Sequence, residues 1–141
     1  MAKASIGKEI ICSAKDETGL LGRIVCALAQ KNIFIQHLAA YTKGDQGYLR
    51  LITSGADLPK TKESIAYFIP RIEEQDVLVV EFENKVGTLA VVAKLLAQNA
   101  IGIQSVYGTS SDGFKIVGIF TTTDNEKACT LINAANGRPG F

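Results

Sequence analysis

Residues 19–36 read GLLGRIVCALAQKNIFIQ and residues 87–104 read GTLAVVAKLLAQNAIGIQ, and the two align without a gap at an offset of 68. Identities fall at Gly19/Gly87, Leu21/Leu89, Leu28/Leu96, Ala29/Ala97, Gln30/Gln98, Ile33/Ile101, Ile35/Ile103 and Gln36/Gln104. The same register lays EIICSA (9–14) over VLVVEF (77–82), and YLRLIT (48–53) over IVGIFT (116–121). One register that aligns strand, helix and strand in turn is the mark of a duplicated unit, and an internal period constrains a fold more than any local motif. Length alone suggests a single domain. The repeat instead predicts two, over residues 1–75 and 76–141.

Within each unit the hydrophobic periods set the elements. Ile10, Ile11 and Cys12, like residues 77–80, form short apolar runs rich in β-branched residues, as a buried central strand does. Leu21, Ile24, Val25 and Leu28 recur at i, i+3, i+4 and i+7, the stripe of an amphipathic helix, and Leu89, Val92, Leu95 and Leu96 repeat it. Strands are expected over 33–42 and 101–109, then turn chemistry at Lys43-Gly44-Asp45-Gln46-Gly47 and Ser110-Ser111-Asp112-Gly113. Return strands over 48–54 and 114–122 follow as hairpins. A second helix starts after Asp57-Leu58-Pro59, where proline suits the first turn, and its counterpart after Thr123-Asp124. Each unit is therefore β-α-β-β-α with a closing strand, the ferredoxin-like arrangement of an α/β (α+β sandwich) fold with antiparallel sheets. The closing strand is predicted over 69–75 in the first unit. In the second it is short or missing, because in Gly137-Arg138-Pro139-Gly140-Phe141 proline lacks a donor and glycine adds no packing. An open strand edge is a liability, so that edge is expected to be covered by the other repeat, the N-terminal segment or a second chain.

Composition narrows the function classes. With 47% apolar and 21% charged residues the chain reads as a globular protein, not as a disordered tail or a coiled coil. A net charge of +1 gives no electrostatic reason to expect nucleic acid as a partner. DGFKIVGIF (112–120) is faintly similar to an RNA-binding strand, yet lacks its leading basic residue and later stacking aromatic. No apolar run approaches the ~20 residues of a membrane span, and MAKASIGKEI is unlike a signal peptide, so a cytoplasmic location is expected. Cys12, Cys26 and Cys129 are odd in number and lack metal-ligand spacing, and the one histidine, His37, cannot build a metal site alone. No nucleophile–base or paired-carboxylate constellation stands out; no catalytic residue, metal or cofactor is expected.

The turn between first strand and first helix is the candidate site in both units: Asp16-Glu17-Thr18-Gly19-Leu20-Leu21 and Asn84-Lys85-Val86-Gly87-Thr88-Leu89. Asp and Asn are good helix N-caps. Glycine there permits a positive φ or close approach of another backbone. Helix starts present unpaired N–H groups that favour a carboxylate or phosphate. On these grounds alone the turns either bind an anion or simply cap their helices.

A strand ending in [Asp/Asn]-x-x-Gly-x-Leu, an amphipathic helix and an Ile-x-Ile strand, twice in register, resembles the ACT domain family. The residues carrying the resemblance are Asp16, Gly19, Leu21, Ile33 and Ile35, then Asn84, Gly87, Leu89, Ile101 and Ile103, across residues 8–136. It implies a free-standing pair of non-catalytic regulatory units that bind an amino acid or similar small carboxylate at domain interfaces. The first strand–helix turn and the second strand would supply the ligand contacts: Asp16, Thr18, Gly19, Leu20, Leu21 and Ile35, with Asn84, Val86, Gly87, Thr88, Leu89 and Ile103. It further implies a homodimer that modulates a separate metabolic enzyme. The alternative is a ligand-free docking subunit of such an enzyme. Two departures stand out: Thr18 and Val86 replace the proline common before the glycine, and Phe34 and Gly102 replace the asparagine common between the isoleucines. Because Asp16 is anionic whereas Asn84 is neutral and beside Lys85, the second turn is expected to take a carboxylate better than the first.

Overall fold

Two long strands, β1 (Lys3–Lys15) and β4 (Ile72–Glu83), anchor the computed structural model, which describes residues 2–110, 112–138 and 141. Between them lie helix α1 (Leu20–Gln30), strands β2 (Ile35–Lys43) and β3 (Gln46–Thr53), and helix α2 (Leu58–Ala66). After β4 come α3 (Thr88–Gln98), β5 (Ile103–Thr109), β6 (Lys115–Thr122) and α4 (Asn125–Ala135). α1 and α3 begin and end 68 positions apart, and the bulges in β2 (Ile35/His37) and β5 (Ile103/Ser105) keep the same offset. So do the left-handed residues Asn32 (φ 55°) and Ala100 (φ 57°) that turn the chain out of those helices.

The chain divides into two compact units, Lys8–Gln75 and a second made of Met1–Gly7 with Asp76–Phe141. In the first, the strand order is β2-β3-β1-β4, with antiparallel pairing of β1 to β3 and β3 to β2. The register sets Ile10 opposite Leu51 and Cys12 opposite Leu49. That face meets Ile24 and Leu28 of α1, Ile65 of α2, and Ile33 and Ile69, all buried in one core. Apolar side chains at alternate strand positions and helical spacing of three to four residues suffice to build it.

In the second unit the order is β1-β4-β6-β5, again with antiparallel pairing of β4 to β6 and β6 to β5. Leu78, Val80, Phe82 and Phe120 pack beneath Val92 and Leu96 of α3 and Ala128 and Ile132 of α4. The place of the closing strand is taken by residues 3–7 at the start of β1. Ala2 and Ala4 are buried in this core, and the Ala4 N–H and carbonyl bond reciprocally to the Asn133 side-chain amide at 2.8 and 2.9 Å. Residues 2–7 thus cluster with the second repeat, whereas the sequence placed them in the first unit. Of the tail, Gly137 and Arg138 form no strand; Ser111, Pro139 and Gly140, named in the turn and tail expectations, lie outside the described residues.

Two element expectations shift. The strand predicted over 69–75 begins only at Ile72, because Pro70 lies just upstream, and then runs unbroken through position 76 into the second repeat. The strands expected from positions 33 and 101 begin at Ile35 and Ile103, since Ile33 and Ile101 are spent as buried plugs behind the left-handed turns. No helix among the described residues is long and apolar enough to cross a membrane.

Candidate functional site

Gly19 is the residue before α1, and it sits in the left-handed region at φ 88°; Gly87 repeats this before α3 at φ 93°. Neither helix start has a side-chain cap. Asp16 and Asn84 are therefore not N-caps, as their residue types suggested; they lie three positions upstream and hold the turn to the neighbouring hairpin. The Asp16 N–H donates to the Asp45 carbonyl (2.7 Å), and the Asn84 N–H to that of Phe114 (2.8 Å). With the first helical bond running from the Arg23 N–H to the Gly19 carbonyl, the N–H groups of Leu21 and Gly22 have no partner within the helix. The backbone conformation separates two glycines of one turn. Gly19→Ala is expected to cost about 1 kcal/mol, because a Cβ disfavours positive φ. Gly22→Ala, whose Cβ meets nothing within 4 Å, should gain roughly 0.5–1 kcal/mol in a helix. Denaturant midpoints that move in the same direction for both would contradict this conformational argument.

The turn forms one side of a cavity of about 420 Å³ that lies wholly within the first unit. Its buried walls are Cys12, Ile24, Leu49 and Ile69. Asp16, Glu17, Thr18, Gly19, Leu20 and Leu21 border it on the turn side, and Tyr41, Thr42 and Tyr48 on the hairpin side. Tyr41 and Tyr48 stack with ring centroids 5.0 Å apart. At the mouth, Glu17 is bound to Arg23 at 2.9 Å, and the exposed Lys15 and Asp16 border the same cavity. Burial pushes the Cys12 thiol up to about 11. At neutral pH it is a protonated, small apolar wall rather than a nucleophile. Such a site can hold a zwitterion by its ends and an apolar group within.

Five of the sequence-predicted residues, Asp16, Thr18, Gly19, Leu20 and Leu21, border this cavity. Ile35 does not; it is half-buried against the first core. In the second unit the corresponding groups are differently engaged. The Asn84 amide donates to the Gly113 carbonyl (3.1 Å), and the Thr88 hydroxyl to the Glu83 carbonyl (2.7 Å). Lys85 is paired with Glu83 at 2.8 Å, and this hydrogen bond holds the Glu83 carboxyl below the usual carboxylate range. Val86 is fully exposed, and Leu89 and Ile103 are partly so.

Sequence reasoning missed the cavity's floor. Cys12 and Leu49 read as core, and Ile69 as strand. No signal in the sequence marks them: Leu21 beside the cavity is 42% exposed against the stripe pattern, but its counterpart Leu89 is 48% exposed. His37, opposite Ile52 in the β2–β3 register, lies outside the lining. Burial lowers its pKa, so its imidazole is neutral at neutral pH. Among the described residues no three His, Cys, Asp or Glu side chains could hold a metal ion.

No family model and no curated protein matches the sequence. Solved structures do. The regulatory subunit of aspartate kinase from Thermus thermophilus, in its ligand-free form, superposes with a TM-score of 0.68 at 13% identity, over 96% of each chain. The chain has the fold of these regulatory subunits. The aspartokinase alpha and beta subunits give a TM-score of 0.66 at 19% identity, over 94% of this chain and 96% of that one. A protein from Bacteroides thetaiotaomicron gives 0.82 at 20% identity, over 93% and 89%. At these identities the likeness is one of architecture: α+β units of antiparallel strands and paired helices, the arrangement expected from the sequence.

Proposed function

We propose that this chain is a regulatory amino-acid-binding protein, and that its ligand sits in the cavity at the first strand–helix turn. The observation that carries the reading is the pairing of opposite ends at one mouth. The N–H groups of Leu21 and Gly22 suit an α-carboxylate, and the Asp16 carboxylate suits an α-ammonium group. Thr18, Gly19 and Leu20 supply the turn that brings these together. The second turn, residues 84–89 with Ile103, is a weaker second seat in this reading. Its lysine and amide already have partners within the protein, which reverses the ranking expected from charge alone.

Regulation would follow from linkage: a ligand that binds one packing of the units better shifts the population towards it. The protein would act as a homodimer on a metabolic enzyme carried by a separate chain, consistent with the regulatory role of the aspartate kinase neighbours. The ligand-free docking alternative rested on an open edge in the second unit, and residues 3–7 occupy that place.

A thermal-shift panel of the twenty amino acids at millimolar concentration tests the reading. A ligand at 100 times its dissociation constant adds about 2.7 kcal/mol, a rise of several degrees for a chain of this size. A flat panel overturns it. Calorimetric titration with the strongest hit should then give a loss of roughly tenfold or more for Asp16→Ala, from the lost charge-assisted contact, and a smaller loss for Asn84→Ala. Equal losses, or a greater one at Asn84, would restore the second turn as the main seat.

A further inference from the structure

Resting on the amino-acid reading above, we infer that the cavity selects amino acids with uncharged, apolar side chains, and that Cys12 is the residue that sets how large a side chain it accepts. Every wall that lies inside the protein is apolar: Ile24 and Ile69 are 3% exposed, Leu49 6% and Cys12 9%. The charged groups bordering the cavity, Lys15, Asp16 and Glu17, are all exposed at its mouth. A ligand whose α-groups meet the turn therefore directs its side chain towards a floor with no charged partner. Burying an unpaired charge there is strongly unfavourable, whereas aliphatic or aromatic carbon gains from leaving water.

Cys12 is placed to set the depth. It lies on β1 opposite Leu49 of β3, on the helix-facing side of the sheet, and is the smallest of the four buried walls. Its thiol stays protonated, so it adds no charge to the floor. A branched residue at position 12 would raise the floor while keeping it apolar.

The test is calorimetric titration of the wild-type protein with leucine, isoleucine, valine, methionine and phenylalanine against aspartate, glutamate, lysine and arginine, completed by the remaining eleven amino acids. The expected result is that one of the five apolar amino acids binds at least about tenfold more tightly than any charged one, the scale on which an apolar pocket discriminates. If a charged or polar amino acid binds best, the side-chain inference is overturned and the amino-acid reading stands. If none of the twenty binds, the amino-acid reading falls, and this inference with it. In Cys12→Val, affinity for the tightest apolar amino acid should fall relative to alanine by about tenfold. An unchanged ratio would overturn the assignment of Cys12. Cys12→Val adds volume on the cavity side and keeps the site apolar, a change of the kind cores tolerate, and the unliganded melting midpoint checks that the protein still folds.

Discussion

Replacing Arg50 with methionine is expected to lower the unfolding free energy by about 3 kcal/mol, the scale of a buried ion pair deprived of one partner. The Glu9 side chain has no exposed surface, and that of Arg50 is 17% exposed. Three donors converge on Glu9 Oε1: Arg50 Nε and a terminal guanidinium nitrogen, each at 2.8 Å, and Gln75 Nε2 at 2.9 Å. Without the guanidinium, the buried carboxylate loses two of these three donors while staying out of water. At about 3 °C per kcal/mol for a chain of this length, the melting midpoint should fall by roughly 10 °C. In Glu9→Met/Arg50→Met neither charge needs desolvation, so most of the loss should be recovered. Scanning calorimetry of both variants decides the matter. A single variant that melts with the wild type, or a double as weak as the single, would refute this account of the pair.

That network also marks the limit of what the sequence reveals. Glu9, Arg50 and Gln75 are far apart along the chain and ordinary in type, and only the β1–β3 pairing and the start of β4 bring them together. Period-governed features were legible: the buried stripe Ile24 and Leu28, its copy Val92 and Leu96, the hairpins, and the helix after Pro59. Asp124 was rightly placed at the start of α4, where it accepts from the Lys127 N–H at 3.0 Å. Asp16 and Asn84 looked the same in sequence but are not caps, because the glycine three residues later takes the left-handed position from which the helix begins. The same reasoning found the turn side of the candidate site and missed its floor. Turn residues betray themselves by type, whereas Cys12, Leu49 and Ile69 differ from core residues only in the space beside them.

Arginine at position 4 is expected to cost about 4 kcal/mol or more, because it drives an unpaired charge into an apolar core. Ala2 and Ala4 are buried while Lys3 and Ser5 are exposed, the alternation of a strand with one face on a core. Neither alanine belongs to an apolar run, so nothing in the sequence marks residues 3–7 as a strand. Their role shows in the packing, where Ala2 and Ala4 are buried in the second-unit core. Ser5→Arg is the control: same segment, same charge, opposite face, and a change within about 0.5 kcal/mol, as for most surface substitutions. Hydrogen exchange should localise the damage. Ala4→Arg should speed exchange at Leu78 and Phe120, in the second-unit core, while Leu49 and Leu51 of the first unit keep their protection. Loss of protection in both units together would mean that they open as one cooperative block. Equal destabilisation at positions 4 and 5 would mean that the alternation, and with it the closing of the second unit by residues 3–7, is wrong.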